Sequence, residues 1–165
     1  MGREIKMNIL EGFVSNSLKR YNHKKYWKLR QRVVGKNRYP KLLKYIWLMY
    51  IKRADAYNNA SMGTHVGFGA VFESAPNLAH GLNGIIVSHE AHIGKNVSIC
   101  HQVTIGGGKG GAPTIGDNCF IGPGAKITGG IHIGNNVRIG TNCVVVEDIP
   151  DNATVVMNKP RIIIK

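Results

Sequence analysis

Ile115 to Val145 reads IGDNCFIGPGAKITGGIHIGNNVRIGTNCVV, with an aliphatic residue at every sixth position: Ile115, Ile121, Ile127, Ile133, Ile139 and Val145. The same spacing holds upstream at Ile93, Ile99 and Ile105, and a second small or apolar residue stands four places on, as at Val97, Val103, Cys119, Ala125, Ile131, Val137, Cys143 and Ile149. Six is an even number of strand residues, so every repeat sends the same side chain to the same face; a helix of 3.6 residues per turn would smear the pattern around its circumference. The corners at 94–96, 116–118, 134–136 and 140–142 are rich in Gly and Asn, which tolerate positive φ and let short strands turn sharply. The spacing predicts a mainly β fold: a parallel β-helix whose core is a column of stacked Ile and Val.

Outward from this stretch the register breaks twice. Residues 72–84 (FESAPNLAHGLNG) have no period and are expected to loop out, after a weak start of the repeat at Val66-Gly67. Residues 106–114 (GGGKGGAPT) put ten positions instead of six between Ile105 and Ile115, so a glycine-rich loop should protrude there. Irregular loops on a rigid scaffold are where function tends to sit. From Asp151 the chain leaves the period as a C-terminal tail. The expected division is a basic α-helical segment over 1–57 and the β-helix over 58–165.

Net charge is +13, and it is concentrated: residues 1–57 hold 15 of the 22 Lys and Arg and three of the nine acidic residues. A face of this kind attracts nucleic acid, an anionic membrane or acidic glycan intermediates, or is simply solvated. Residues 17–34 and Leu42 to Arg53 carry helical apolar spacing, with Gly35 and Asn37 as the stop and Pro40 suited to a first turn. Their aromatic and aliphatic side chains are expected to cover the open base of the solenoid, which would otherwise expose strand edges. The N-terminus lacks the long apolar run of a signal or membrane span, and Lys6 stands where a myristoylation motif needs Ser or Thr. A cytoplasmic protein is expected, at most peripheral at the inner face of an anionic membrane. Cys119 and Cys143 fall in the inward column as core fillers; Cys100 is a weaker candidate for a reactive thiol.

With HGLNGIIVS (80–88), VSICHQVTIGGGKGGAPTIGDNCFIGPGAKI (97–127) and IGTNCVVVEDIPDNATVV (139–156) added to the repeat, residues 58–165 resemble the left-handed β-helix acyltransferases. Within them the chain is most similar to the serine O-acetyltransferase branch, and there to its short members that O-acetylate surface polysaccharides. The resemblance implies acetyl-CoA as donor, a homotrimer, and active sites between subunits, with a small-molecule or glycan acceptor and no nucleic acid. It also implies that His80, shortly before Gly84-Ile85-Ile86-Val87, is the general base; His101, one step from the inward column and near the donor loop, is the runner-up. An imidazole titrating near neutrality can take a proton from an acceptor hydroxyl and return it to the departing thiolate. Asn59 stands where relatives hold this His with a carboxylate, and Asp55 and Glu73 are alternatives. The implied donor contacts are Gly106, Gly107, Gly108 and Lys109, then Ala125, Arg161 and Lys165; for Ala125 the inward small column is an equal explanation. His89 and His92, three apart on an extended turn, point to different faces and read as surface residues, so no metal is expected.

Two departures bear on the acceptor. Serine-specific relatives carry Asp before the catalytic His and an Arg-His pair in the second loop, where this chain has Ala79 and Gly111-Ala112-Pro113. The charge-assisted clamp for an amino acid is therefore missing, and a sugar hydroxyl is the expected acceptor, with serine as the alternative. A non-catalytic β-helix that binds an anionic partner is the reading from another class.

Overall fold

The computed structural model describes residues 20–36, 38–158, 161 and 163. Its solenoid has three faces of short parallel strands. The first face stacks β1 (Ser61–Met62), β5 (Ile86–Val87), β8 (Thr104–Gly106), β11 (Lys126–Thr128) and β14 (Val144–Val145). The second stacks β4 (Val71–Phe72), β6 (His92–Ile93), β9 (Thr114–Ile115) and β12 (His132–Ile133), and ends on a bridge from Ile133 to Ile149. The third begins with Asn77 bridged to Ser98 and continues through β7 (Ser98–Ile99), β10 (Phe120–Ile121), β13 (Arg138–Ile139) and β15 (Thr154–Val155). Where the hexad is unbroken, Phe120 pairs with Arg138 and Lys126 with Val144, so one coil takes three six-residue sides.

That register brings the hexad residues into one inward column. Ile93, Ile105, Ile121, Ile127 and Ile133 have no exposed surface, and Val97, Val103, Ala125 and Val137 fill the second column. Burying each Ile contributes about 1.5–3 kcal/mol. The corners divide their labour more finely than composition suggests. Positive φ falls on asparagine at Asn96, Asn118, Asn136 and Asn152 (54–60°), whose side-chain amides donate up the stack from Asn96 to Asn118, to Asn136 and to Asn152 at 3.0–3.3 Å. The glycines before them serve a different need. A Cβ on Gly116 would lie 2.7 Å from Asn135 Oδ1, which accepts a hydrogen bond from Asp117 N.

The N-terminal breaks lie elsewhere than expected. The solenoid starts at Ser61, and Val66-Gly67 is the tip of an antiparallel hairpin, β2 (Thr64–His65) with β3 (Phe68–Gly69). The loop expected over 72–84 contains a strand residue, Phe72, and the bridged Asn77; the actual excursion is 78–85, because the backbone of 71–77 finds partners on the next coil.

Two helices close the base. In α1 (His23–Val34) Asn22 Oδ1 accepts from Lys25 N as N-cap; the expected first residues, 17–19, lie outside the described part. In α2 (Lys41–Tyr57) Pro40 takes the N-cap position. Arg30, 3% exposed, donates to Met62 O, Ala70 O and Thr64 Oγ1, and its guanidinium lies over the Phe72 ring at 4.6 Å. The base is thus covered by a planar cation that satisfies backbone carbonyls on both sides of the hairpin. Packing claims only part of α2, however. Ile51 and Ala54 are buried, whereas Leu42, Tyr45, Ile46 and Met49, at the i, i+3, i+4, i+7 spacing of one helix face, are 51–75% exposed.

Since Asn118 is held at φ 58°, Asn118→Ala should destabilise the fold by about 1–2 kcal/mol through the left-handed backbone alone, with the lost ladder bonds added. Asn118→Gly should cost less, and urea unfolding of the two variants measures the difference.

Candidate active site

The excursion at 78–85 presents one imidazole. Leu82 anchors it, fully buried, and backbone bonds close it: Gly81 N to Leu78 O, Ile85 N to Leu82 O, and Gly84 N to Asn58 O. Beneath Gly81 lies the Tyr21 ring, so the residue preceding the N-cap of α1 supports the loop. His80 is exposed at its crest, edge-on to His101, with ring centroids 5.1 Å apart and planes at 85°. His101 belongs to the coil above, and its Nδ1 is buried without a hydrogen-bond partner among the described residues. The contact was readable in principle: Asn77 pairs with Ser98, and the same offset of 21 carries His80 to His101.

None of the orienting residues offered by the sequence bonds to His80 among the described residues. Asn59 is a corner residue, with φ 49° and its N–H on Ala56 O; it occupies the position that Gly84, Gln102, Gly124 and Asn142 fill in later coils. Glu73 binds His92 at 3.1 Å and reaches Lys95. Asp55 is buried beneath the solenoid, where it accepts from Tyr26 OH at 2.6 Å. Burial pushes its carboxyl up to about 6, against the opposing pull of the Tyr26 hydrogen bond and the Lys52 charge.

The glycine-rich excursion is built, not loose. Gly108 and Gly111 exchange N–H···O bonds of 2.8 and 3.1 Å, which places Lys109 and Gly110 at an exposed tip. Gly129 N donates to Gly106 O and Gly130 N to Lys109 O, bracing the loop from the coil above. The N–H groups of Gly107, Lys109 and Gly110 have no partner among the described residues, so this turn presents donors beside a lysine. Ala125 is fully buried in the second inward column. Arg161 is exposed, and Lys165 lies outside the described residues.

The remaining reactive groups have structural employment. Burial pushes the Cys100 thiol up, away from the thiolate form. Cys119 is buried and bonds Gly134 O at 3.1 Å. Among the described residues no group of three His, Cys, Asp or Glu is placed to hold a metal.

Residues 112–146 match the family model for the bacterial transferase hexapeptide (six repeats). This stretch carries that family's hexapeptide repeat, and the chain is similar to the left-handed β-helix acyltransferases. Among its curated relatives is a serine acetyltransferase of Mycobacterium tuberculosis, 38% identical over 109 residues, or 64% of this chain and 47% of that protein. The solved serine acetyltransferase of Neisseria gonorrhoeae in complex with serine is 34% identical with a TM-score of 0.56, covering 90% of this chain and 56% of that one. Soybean serine acetyltransferase apoenzyme superposes with a TM-score of 0.62 at 28% identity, over 98% of this chain and 64% of that one. This hexapeptide-repeat chain spans about half the length of the curated relatives it matches.

The Asp55 environment has a measurable signature. Because the folded carboxyl binds its proton more tightly than the unfolded one, its contribution to stability is full below about pH 4 and is lost as pH rises through about 6. Moving from the ordinary 3.8 to about 6 caps the effect at about 3 kcal/mol. Asp55→Asn keeps an acceptor for Tyr26 and should flatten melting temperature against pH over 4–7.

Proposed function

We propose that this chain is an acetyl-CoA-dependent O-acetyltransferase with His80 as general base. What carries the reading is an exposed imidazole, fixed on a hydrogen-bonded loop, in a solenoid whose relatives are acetyltransferases. The acceptor hydroxyl oxygen attacks the thioester carbon while His80 takes its proton; the tetrahedral oxyanion collapses, the C–S bond breaks, and the proton passes to the thiolate. The N–H groups of Gly107, Lys109 and Gly110, without partners among the described residues, are suited to the oxyanion or to the phosphates of the donor contacted at Gly106, Gly107, Gly108 and Lys109, with Lys109 adding charge. Arg161 and Lys165 remain candidates for phosphate contact from the C-terminal end.

The site is completed by a neighbouring subunit. His80 hangs from the edge where the third face turns into the first, the glycine turn from the edge where the first turns into the second, and the first face separates them. A homotrimer about an axis parallel to the solenoid brings one edge of each protomer against a different edge of its neighbour. Asn59 and Ala125 then support the site as corner and core residues. The acceptor is a hydroxyl of a surface-polysaccharide or nucleotide-sugar precursor, because Ala79 and Ala112 leave no charged clamp for an amino acid. Serine is the competing acceptor, and the M. tuberculosis and N. gonorrhoeae relatives favour it.

Acetyl-CoA turnover measured with serine and with a glycan panel separates the two, and absence of both turnover and CoA binding would leave the non-catalytic reading. His80→Ala should lower kcat by about 10²–10⁴ with CoA affinity and trimer mass retained. Full activity in that variant would dismiss the base.

The chain works in the cytoplasm, against the inner face of the membrane. No described helix is long and apolar enough to cross a bilayer, but the exposed Leu42, Tyr45, Ile46 and Met49 with Lys41, Lys52 and Arg53 form an amphipathic face suited to an anionic surface. Met49→Glu should reduce sedimentation with anionic vesicles, and salt should reduce the wild type's binding; neutral vesicles serve as the control.

A further inference from the structure

The hairpin β2–β3 has no role in the hexad. It inserts four residues between the first and second faces, where Ser61 to Val71 spans ten positions instead of six, and it is the antiparallel pair in an otherwise parallel fold among the described strands. Yet it is held stiffly: Arg30 binds its two ends at Met62 O and Ala70 O and its Thr64 hydroxyl, Gly67 N donates to Val33 O at its tip, and a Cβ on Gly69 would strike Gly63 O. What this fixed hairpin displays is aromatic. The rings of His65 and Phe68 lie parallel, 4.6 Å apart with 3° between planes, and His89 from the next coil stands edge-on to both at 5.6 and 6.0 Å. Phe68 is 55% exposed, and His65 and His89 are exposed beside it.

We infer that His65, Phe68 and His89 form a stacking platform for a pyranose ring of the acceptor. This rests on the O-acetyltransferase reading and specifies its substrate side. Its location supports it: His89 follows Ser88, whose Oγ lies next to Gly107, so the platform sits one coil below the glycine turn on the same edge of the prism. Its chemistry supports it as well. A pyranose offers axial C–H groups on one face and hydroxyls around its rim; the platform offers apolar ring faces with imidazole nitrogens at the margin as donors and acceptors. Partial desolvation, the Lys52 charge and the neighbouring His89 pull the His65 imidazole below its ordinary pKa. A rigid scaffold gains nothing in stability by keeping a phenylalanine in water, whereas a bound sugar covers it.

The test is saturation-transfer NMR on the full chain with methyl glucoside, galactoside, mannoside and N-acetylglucosaminide, with acetyl-CoA binding measured in parallel. The expected result is saturation of the ring C–H protons of at least one glycoside. Phe68→Ala should weaken its binding by about tenfold, the size of one aromatic stacking contact, while Phe68→Trp preserves it. His80→Ala should still bind that sugar, so loss of the base and loss of the platform read out separately. The inference is overturned if no glycoside binds, or if Phe68→Ala binds sugar as the wild type does. It is equally overturned if Phe68→Ala weakens acetyl-CoA instead, placing an adenine on the platform, or lowers the assembly mass, making the patch a contact between copies.

Discussion

Coils stacked in direct register at strand spacing, about 4.8 Å, constrain every other feature of this molecule. At that distance the corner at 116–118 turns with one residue at positive φ and with no Cβ on the residue that approaches the next coil. Asn118 meets the first condition and Gly116 the second. Once both are met, side-chain amides come into range of their equivalents above and below, and the Asn96-Asn118-Asn136-Asn152 ladder follows from the geometry. The Ile column inside is the same constraint seen from the core, since identical positions in successive coils must share one site.

A scaffold this repetitive accepts extra residues only at corners, and it fixes whatever they carry. The 78–85 loop is tied into the corner through Gly84 N to Asn58 O and anchored by Leu82, which holds His80 outside while its backbone remains satisfied. The 106–111 turn is braced by Gly129 and Gly130 of the coil above. The β2–β3 hairpin is secured from below by Arg30. Its guanidinium is costly to bury, and the three acceptors and the Phe72 ring face offset that cost. All three insertions are thereby preorganised, as binding and proton transfer require.

The N-terminal helices join this logic at one end only. Their buried side closes the strand edges of the first coil, which in a free solenoid would template association. Their outer side leaves α2 with an apolar face that the protomer does not cover, and the basic residues around it bias that face toward an anionic environment.

The sequence alone determined the hexad core, the parallel β-helix and the presence of loops around His80 and Lys109, because a period of six sends the same strand residues to the same face in every repeat; the three sides of each coil came from the register. It left the early coil misplaced, since Val66-Gly67 imitates a repeat while serving as a hairpin tip. Tertiary structure decided that point, along with the corner conformation of Asn59, the His80–His101 contact, the burial of Asp55 and the aromatic face of His65, Phe68 and His89. The reason is physical. Periodicity specifies which residues face inward, but what meets across coils on the outside depends on how many residues each corner inserts, and on where their backbone hydrogen bonds find partners.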